Sequence, residues 1–350
     1  MAKGTPLLSI VISNLNAKKY LETCVGSVLA SDYPNLEVFL VDDHSDDGGP
    51  EFVASKFGAD KRLHIIVNER RHGLTRVFNK GYEATRGTYI VFMHSDGKVD
   101  PDCFSRLVAR MEREPQVGAA QPKILSLEDS SILLSAGQHA DILGYPAGPV
   151  GKGEKDSDKY EESDIFSCWN ACMIVRRSVL EEVGLWDPDY NWFREEEDLA
   201  WRILLRGYRI LYFPDAHAYH KASILLPVYA VDSAYNRFKN YLANVYKYYD
   251  TRHLLIYFPL ACAGVFARLF LGELIIMRKP SHVWAALKGI WWLVRHYGAL
   301  RRQRRHAQRD IRRVPDSQIQ RLMKRPSLRV YLKHVFFMRR TFAARRPRGA

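Results

Sequence analysis

Four consecutive acidic residues at 195–198 are the part of this sequence best suited to chemistry. Carboxylates can accept a proton, ligate a metal ion or accept hydrogen bonds from a polar substrate. The residues that follow have apolar side chains at helical spacing and end at Gly207, which is typical of a helix C-cap. An acid-rich first turn that only complements the helix dipole is the alternative. A second acidic site far upstream favours the functional hypothesis.

A predicted sheet would position that upstream site. Apolar runs and helical spacing predict strands and helices, the strands at 7–13, 36–41, 63–67, 89–93 and 208–213 and the helices at 20–29 and 74–84. Buried strands that alternate with helices predict an α/β fold with a mainly parallel central sheet. Asp43 and Asp96 directly follow two of these strands, at the edge where parallel sheets bind ligands.

Asp43 and Asp96 indicate a nucleotide and a metal ion. An acid after a strand can accept hydrogen bonds from a base or ribose, or it can cap the next turn. No G-x-G-x-x-G or Walker loop follows the first strand, which counts against dinucleotide or ATP binding. A diphosphate would then be neutralised by Mn²⁺ or Mg²⁺ on carboxylates, with Asp96 as candidate ligand. Asp100 and Asp102 are interpreted as caps of a helix that begins near Cys103.

Composition places the chain among globular proteins. Its 350 residues are 47% apolar and 12% aromatic, enough for a substantial core and unlike a disordered protein. The five cysteines are scattered, which suits a reducing compartment rather than a disulfide scaffold. The sequence enters an apolar strand almost at once, without the pattern of a cleavable signal. We therefore expect a cytoplasmic protein.

Charge divides the chain into two parts. From Arg237 onward there are 26 lysines and arginines against four acidic residues, a net charge of +22, whereas the preceding part carries −9. This asymmetry indicates a polyanionic partner, either nucleic acid or an anionic membrane surface. Residues 254–277 are long enough to span a bilayer, but Pro259, Arg268 and Glu273 interrupt them. A spanning helix, an interfacial helix and a buried hairpin with residues 283–294 all stay open.

Several ordered motifs resemble the family-2 inverting glycosyltransferases with the GT-A fold. The resemblance covers residues 7–223 and rests on LSIVISNLN (8–16), VDDHSDDGG (41–49), HSDGKVDPD (94–102), WNACMIVRRSVLEEVGLWD (169–187) and EEEDLAWRILLRGYRILYFPDAHAYH (195–220). Asn68, Gly73, Asn79 and Gly81 match a further spacing pattern of that family. The resemblance is to rhamnosyltransferase-like enzymes of bacterial cell-surface polysaccharide assembly.

The resemblance implies a role for each matching residue. The nucleotide-sugar would be bound by Ser13, Asp43, Arg76, Asn79, Ser95 and Asp96. Asp96 and His220 would hold a divalent metal, Mn²⁺ or Mg²⁺. Glu196 would be the general base, with Glu195 and Asp198 positioning it or binding acceptor hydroxyls. Trp169, Asn170 and Trp192 would contact the acceptor.

The sequence departs from the family at two places. His94 or Ser95 stands where the metal motif often carries another acid, and Glu196 stands where Asp is the commoner base. Glu195 or Glu197 therefore stays open as the base. A nucleotidyltransferase, a catalytically inactive relative and a nucleic-acid-binding protein are the alternative functions. The first would want a glycine-rich loop after the first strand, and no nucleic-acid module supports the last, so we expect no nucleic-acid partner.

These inferences divide the chain at residue 225. Residues 1–225 would form the GT-A catalytic domain, with a nucleotide-sugar half at about 1–102 and an acceptor half at about 103–225. Residues 226–350 would form a basic, partly apolar helical region that attaches the protein peripherally to the inner membrane face or joins two copies of it. The polar segment 148–164 lacks periodicity and is predicted to be a mobile loop, with a lid role open. The donor would carry dTDP or UDP, and the acceptor would be a glycan or a polyprenyl-linked glycan.

Overall fold

The computed structural model describes residues 4–157, 159–221 and 231–326. The strands are β1 (Leu8–Asn14), β2 (Leu36–Asp42), β3 (Leu63–Val67), β4 (Tyr89–His94), β5 (Gly97–Val99), β6 (Val117–Ser126), β7 (Leu133–Ser135), β8 (Gln138–Ala140), β9 (Pro146–Pro149), β10 (Ser163–Asp164), β11 (Cys172–Arg176) and β12 (Arg209–His220). The helices are α1 (Lys18–Leu29), α2 (Gly49–Phe57), α3 (Leu74–Ala84), α4 (Cys103–Arg113), α5 (Arg177–Val183), α6 (Glu195–Arg206), α7 (Val231–Tyr248), α8 (Thr251–Ala267), α9 (Pro280–Arg295), α10 (Tyr297–His306) and α11 (Asp316–Gln320). Two π-helical segments, Arg268–Ile276 and Ala307–Ile311, continue α8 and α10.

A mixed ten-stranded sheet forms the centre of the fold. Its main order is β10-β12-β6-β11-β4-β1-β2-β3, with β5 paired to β12 and β7 paired to β6. Strands β4, β1, β2 and β3 run parallel, as their alternation with helices predicts, and β12 runs parallel to β6. The antiparallel strand β11 joins these two parallel groups by pairing with β4 and β6. The predicted α/β fold with a mainly parallel sheet is confirmed.

Side-chain alternation along the strands fills one core on each face of the sheet. On β1, Ile10 and Ile12 face the core that contains Leu21 of α1, whereas Val11 faces the opposite core. Helix α3 lies so close to that second face that a Cβ atom on Gly81 would be 2.3 Å from Cγ1 of Val11. A glycine is therefore required where this helix crosses the strand.

The C-terminal helices share the second core with the sheet. Trp201 of α6, Tyr248 of α7 and Ile319 of α11 belong to the same buried cluster as Val11. The predicted helical character of the C-terminal region is confirmed for α7 to α11, and the prediction for residues 327–350 lies outside the described residues. The C-terminal helices therefore pack against the sheet region and are not a separate extension.

Two predicted elements differ from the structure. The strand predicted at 208–213 extends to His220, because a register shift between Phe213 and His217 accommodates Pro214. The segment 148–164, predicted to lack regular structure, contains the end of β9 and all of β10, and the backbone N–H of Leu133 donates to the Glu154 carbonyl at 2.9 Å. The described residues between β9 and β10 (150–157 and 159–162) form a loop, as predicted, and its mobility and lid role stay predictions.

Candidate functional site

Three metal-ligating side chains meet at the carboxyl end of β4. Strand β5 turns back from β4 and pairs with the end of β12, with Gly97 opposite His220. This pairing brings Nε2 of His220 to 2.9 Å from Oδ1 of Asp96 and to 3.3 Å from Nδ1 of His94. One ligand atom from each of the three residues lies within 4.8 Å of the others. We call His94, Asp96 and His220 the ligand trio.

The protonation states of His94 and Asp96 suit a divalent cation. Burial, and then the nearby His220, lower the pKa of His94 to about 4, so its imidazole is neutral near pH 7 and offers a lone pair. Burial would raise the pKa of Asp96, but the hydrogen bond and charge of His220 outweigh it and lower that pKa. Neutral imidazole and ionised carboxylate are the forms that bind metals. The trio therefore fits Mn²⁺ or a similar ion.

His94 is a candidate ligand that the sequence analysis did not name. The structure places its ring in the trio, whereas Ser95 is buried and its backbone N–H donates to the Ser13 carbonyl at 3.1 Å. The available signal was that a histidine stands only two residues before Asp96 at the end of a predicted strand. Ser13, at the end of β1, has its hydroxyl 3.4 Å from the Met93 carbonyl. The contacts of Ser13 and Ser95 with the nucleotide-sugar stay predictions.

Asp43 lies at the edge of the sheet where the nucleotide-sugar is predicted to bind, and its carboxylate holds the loop before α3. Its Oδ1 accepts hydrogen bonds from Nδ2 of Asn68 at 3.0 Å and from the His72 N–H at 2.8 Å, and its Oδ2 accepts from the Gly73 N–H at 2.8 Å. The preceding Asp42 is fully buried and accepts from Asn14 at 2.6 Å. Asp43 therefore fixes the loop before α3 while it lies at the site edge.

The two predicted contacts on α3 have different surroundings. Asn79 donates through Nδ2 to the Trp186 carbonyl at 2.8 Å and accepts at Oδ1 from the Trp186 N–H at 3.1 Å. Because each end of its amide bonds to backbone, Asn79 joins α3 to the segment before α6, and its contact with the nucleotide-sugar stays a prediction. Arg76 is exposed one turn earlier, and its contact with the donor stays a prediction.

The first turn of helix α6 carries Glu195 and Glu196, which we call the carboxyl pair. Glu195 is buried and accepts a hydrogen bond from Nδ2 of Asn170 at 3.0 Å. Glu196 is partly buried, and Nε2 of Gln138 lies 3.4 Å from its Oε1 atom. Glu197 is buried beside the guanidinium of Arg194 at 3.1 Å. No pattern in the sequence pointed to Gln138.

Both members of this carboxyl pair hold protons more tightly than ordinary glutamates. Burial raises the pKa of Glu195 to about 7, and the charge of Glu197 adds to the effect. Burial raises the pKa of Glu196 well above its usual value, and the charges of Glu195 and Glu197 raise it further. A carboxylate with a raised pKa is a stronger base than an ordinary glutamate.

Asp198 faces away from this pair. It is almost fully buried and forms ion pairs with Lys247 of α7 and, at 2.8 Å, with Arg202. Burial would raise the pKa of Asp198, but Lys247 and Arg202 outweigh it and lower the pKa to about 2. The predicted role in positioning the base or binding acceptor hydroxyls is therefore corrected, because Oδ1 is used by Lys247 of α7 and Oδ2 is used by Arg202 of α6 itself.

Trp169 and Asn170 join the ligand trio to the carboxyl pair. The Trp169 ring packs edge-on against His220, with the centroids 4.9 Å apart, and the next residue donates to Glu195. Asn170 is buried and bonds to Glu195, and its contact with an acceptor stays a prediction. Trp192, 39% exposed before α6, is free to contact a ligand from solvent, and its acceptor role stays a prediction.

Comparison with known proteins relates the chain to enzymes of bacterial surface polysaccharides. It is 34% identical over 114 residues to "Putative teichuronic acid biosynthesis glycosyltransferase TuaG" of Bacillus subtilis, covering 32% of this chain and 45% of the relative. It is 27% identical over 236 residues to "O-antigen biosynthesis protein RfbC" of Myxococcus xanthus, covering 63% of this chain and 18% of the relative. The matches thus span less than half the length of these curated relatives.

Solved structures share the fold at low sequence identity. TarS 1-349 of S. aureus superposes with a TM-score of 0.56 at 14% identity, covering 98% of this chain and 93% of that chain. The mannosyltransferase PcManGT of Pyrobaculum calidifontis, solved with GDP-Man and Mn²⁺, superposes with a TM-score of 0.53 at 19% identity, covering 82% and 87%. These likenesses support the GT-A fold.

A family profile matches the chain from β1 to the end of α5, which includes part of the candidate site. Residues 9–184, from β1 to the end of α5, match the profile described as Glycosyl transferase family 2. The matched range includes Asp43, the first two members of the ligand trio and the residue pair that bridges to α6. The chain therefore belongs to glycosyl transferase family 2.

Proposed function

We propose that this protein is an inverting, metal-dependent glycosyltransferase that moves a sugar from a dTDP- or UDP-sugar to a hydroxyl group of a glycan or polyprenyl-linked acceptor. The observation that carries the proposal is the bridge formed by Trp169 and Asn170 between the ligand trio and the carboxyl pair. Transfer needs these two groups together, one beside the leaving diphosphate and the other beside the attacking hydroxyl. TarS of S. aureus has been solved with UDP-GlcNAc, and other relatives are named for polysaccharide synthesis.

The residues divide the reaction between them. His94, Asp96 and His220 would hold the divalent cation, which neutralises charge on the diphosphate when it is bound. Glu196 accepts the proton of the acceptor hydroxyl as the new bond to the sugar carbon forms and the bond to the diphosphate oxygen breaks. Attack from the face opposite the leaving group inverts the anomeric carbon. Asn170 and Gln138 orient the carboxyl pair from either side.

The same proposal places the enzyme at the inner face of a membrane. Residues Thr251–Ile276 form one helix with a mean hydropathy of 2.0, long and apolar enough to cross a bilayer, and only 17% of its most apolar window is buried. Glu273, a charged residue within this apolar helix, faces the protein, because it pairs with Arg237 at 3.3 Å and with His282 at 3.1 Å. The helix thus shows polar groups to α7 and α9 and apolar groups to the outside.

The outward side of these helices forms an apolar face. We define it by six exposed residues on α8, the π-helical segment that follows it and α9: Leu255, Phe266, Phe270, Ile275, Trp284 and Trp291. Patches of this kind mark a lipid or protein contact. Basic residues of α10 and the net charge of +22 after residue 236 favour an anionic bilayer, with the helices lying in the interface.

A donor panel tests the catalytic proposal. Purified protein is incubated with dTDP- and UDP-sugars, Mn²⁺ or Mg²⁺ and membrane lipid extract, and donor turnover is measured. One donor should be consumed, and Asp96→Ala and Glu196→Gln should each reduce kcat roughly 100- to 10,000-fold. Glu182→Gln, which changes the carboxylate paired with Arg206 at the opposite end of α6, is the matched control and should retain activity. If no donor is bound or consumed, a catalytically inactive relative with a binding role takes the place of the enzyme.

Vesicle flotation tests the membrane proposal without any substrate. Trp284 and Trp291 are 61% and 63% exposed, and replacing both with glutamate should weaken binding to phosphatidylglycerol vesicles at least roughly tenfold. Val67→Glu changes an equally exposed apolar residue on β3 and should have no effect. If the double variant instead converts a dimer to a monomer while vesicle binding is unchanged, the apolar face joins two copies of the chain.

A further inference from the structure

The turn that leads into α6 has an unfavourable backbone conformation. Phe193 and Arg194 are consecutive non-glycine residues whose φ angles, +65° and +73°, lie in the left-handed region. L-residues other than glycine adopt this conformation rarely and at a cost, so surrounding contacts must hold it in place. Glu195, the first residue of the helix, follows directly. The direction in which α6 starts, and so the placement of its carboxyl pair, depends on this turn.

Helix α7 supplies these contacts. Nδ2 of Asn240 donates to the carbonyl of Trp192 at 3.1 Å and to the carbonyl of Phe193 at 2.6 Å. Nδ2 of Asn244 donates to the carbonyl of Arg194 at 3.2 Å. Two asparagines one helical turn apart therefore satisfy three successive carbonyl groups of the turn.

The donor amide of Asn244 has a fixed orientation. Its Oδ1 atom accepts a hydrogen bond from the hydroxyl of Tyr190 at 2.6 Å, which directs Nδ2 towards the turn. Both asparagines are buried, so water does not compete for these hydrogen bonds. Lys239, on the same helix, donates to the Asp189 carbonyl at 2.7 Å and fastens the start of the segment.

We infer that Asn240 and Asn244 are positioning residues of the transfer reaction: they hold the left-handed turn at 193–194 and thereby fix the carboxyl pair of α6 against the ligand trio. This inference rests on the proposed function. It extends the reaction machinery beyond residue 225 into the helical region, whose next helices carry the apolar face. Neither asparagine touches the carboxyl pair, so each acts through the backbone of the turn.

Isosteric aspartate variants test the inference. Asn240→Asp and Asn244→Asp keep the shape of the side chain but replace the Nδ2 donor with an acceptor that repels the carbonyl groups. Each should reduce kcat roughly 10- to 100-fold with little change in the KM for the donor. The low-pH limb of the rate profile should also move, because the burial of Glu195 and Glu196 changes. Asn236→Asp introduces the same charge one turn earlier on α7, where the side chain donates no hydrogen bond to this described turn.

Glycine at the turn provides a rescue experiment. Phe193→Gly removes the cost of the left-handed conformation and should restore most of the lost kcat in the Asn240→Asp background. A purely structural defect in α7 would not respond to this second substitution. If folded Asn240→Asp and Asn244→Asp proteins retain the parental kcat and pH profile, the inference is overturned.

Hydrogen exchange separates this inference from the proposed function. Amide exchange over residues 192–198 should be faster in both aspartate variants than in the parent and in Asn236→Asp, whether or not a donor is turned over. Faster exchange in the two aspartate variants, combined with a parent protein that lacks transferase activity, would reject the proposed function and keep the inference that Asn240 and Asn244 hold the turn. If exchange in both aspartate variants equals that of the parent, only the inference that Asn240 and Asn244 hold the turn is rejected.

Discussion

Nδ1 of His94 lies 3.3 Å from Nε2 of His220, and that same Nε2 atom lies 2.9 Å from Asp96. Two imidazole nitrogens and one carboxylate therefore face one point at the end of β4. Imidazole suits first-row transition metals, whereas Mg²⁺ prefers oxygen ligands in octahedral geometry. The replacement of a second acid by His94 is expected to change which metal the site selects.

The trio should bind Mn²⁺ at least about tenfold more tightly than Mg²⁺, a difference of about 1.4 kcal/mol. His94→Asp should reduce this ratio, because it exchanges a nitrogen ligand for an oxygen ligand. Titration calorimetry of the protein without donor measures both dissociation constants. His217→Asp is the control, because His217 lies on β12 with His220 but outside the ligand trio, and it should leave the ratio of the two affinities unchanged. Equal affinities for the two metals in the parent would contradict this prediction.

The raised pKa values of Glu195 and Glu196 should make kcat/KM fall at low pH, and we call this part of the pH profile the acid limb. A base works only when ionised, so kcat/KM should fall as the pH decreases through the raised pKa of Glu196 and should rise above it. Glu195→Gln removes a negative charge beside Glu196, lowers the pKa of Glu196 and should move the limb to lower pH. The pH profile of kcat/KM measures the movement. A limb that stays in place would assign it to another group.

The sequence was sufficient for the elements whose signals are local. Alternating apolar strands and helices predicted the β1 to β4 part of the sheet, and Gly207 marked the end of α6, where its φ of +99° is observed. The positions of Asp43 and Asp96 at strand ends followed from the same alternation. These features depend on residues close together in the chain.

The direction of individual side chains could not be predicted in this way. Asp198 differs from Glu195 by three positions on α6, but its environment is set by Lys247, 49 residues later, which the sequence does not connect to it. Asn79 has an amide that could bind a ligand or a backbone, and only the folded chain brings Trp186 beside it. The pairing of β5 with the end of β12 likewise joins residues that are far apart in sequence.

Asp43→Asn should weaken nucleotide binding by disturbing the loop before α3. Three donors face the Asp43 carboxylate, and an amide has one acceptor oxygen, so at least one donor loses its partner. The cost of about 1–3 kcal/mol corresponds to a roughly 5- to 150-fold rise in Kd if it acts on the bound state. Calorimetry with UDP and dTDP measures it. Asp46→Asn, at an exposed neighbouring acid, should bind like the parent, and an unchanged Kd in Asp43→Asn would show that this loop is not needed for the nucleotide.

Lys247→Met should destabilise the protein by about 3–5 kcal/mol in urea unfolding at pH 7, because it leaves Asp198 buried without its closest cation. Lys56→Ala breaks the exposed pair with Glu22 and should cost at most about 1 kcal/mol. Asp198→Asn in the Lys247→Met background should recover part of the loss, since the unpaired charge is removed.

The acid stability of the parent gives a second readout of the same ion pair. Because the pKa of Asp198 is lowered to about 2 in the folded state, its contribution to stability is present above its ordinary value near 3.9 and is lost as the pH falls towards 2. Removing Lys247 raises that pKa, so Lys247→Met should lose less stability than the parent across this window. Parallel curves of unfolding free energy against pH would mean that Arg202 alone sets the ionisation of Asp198.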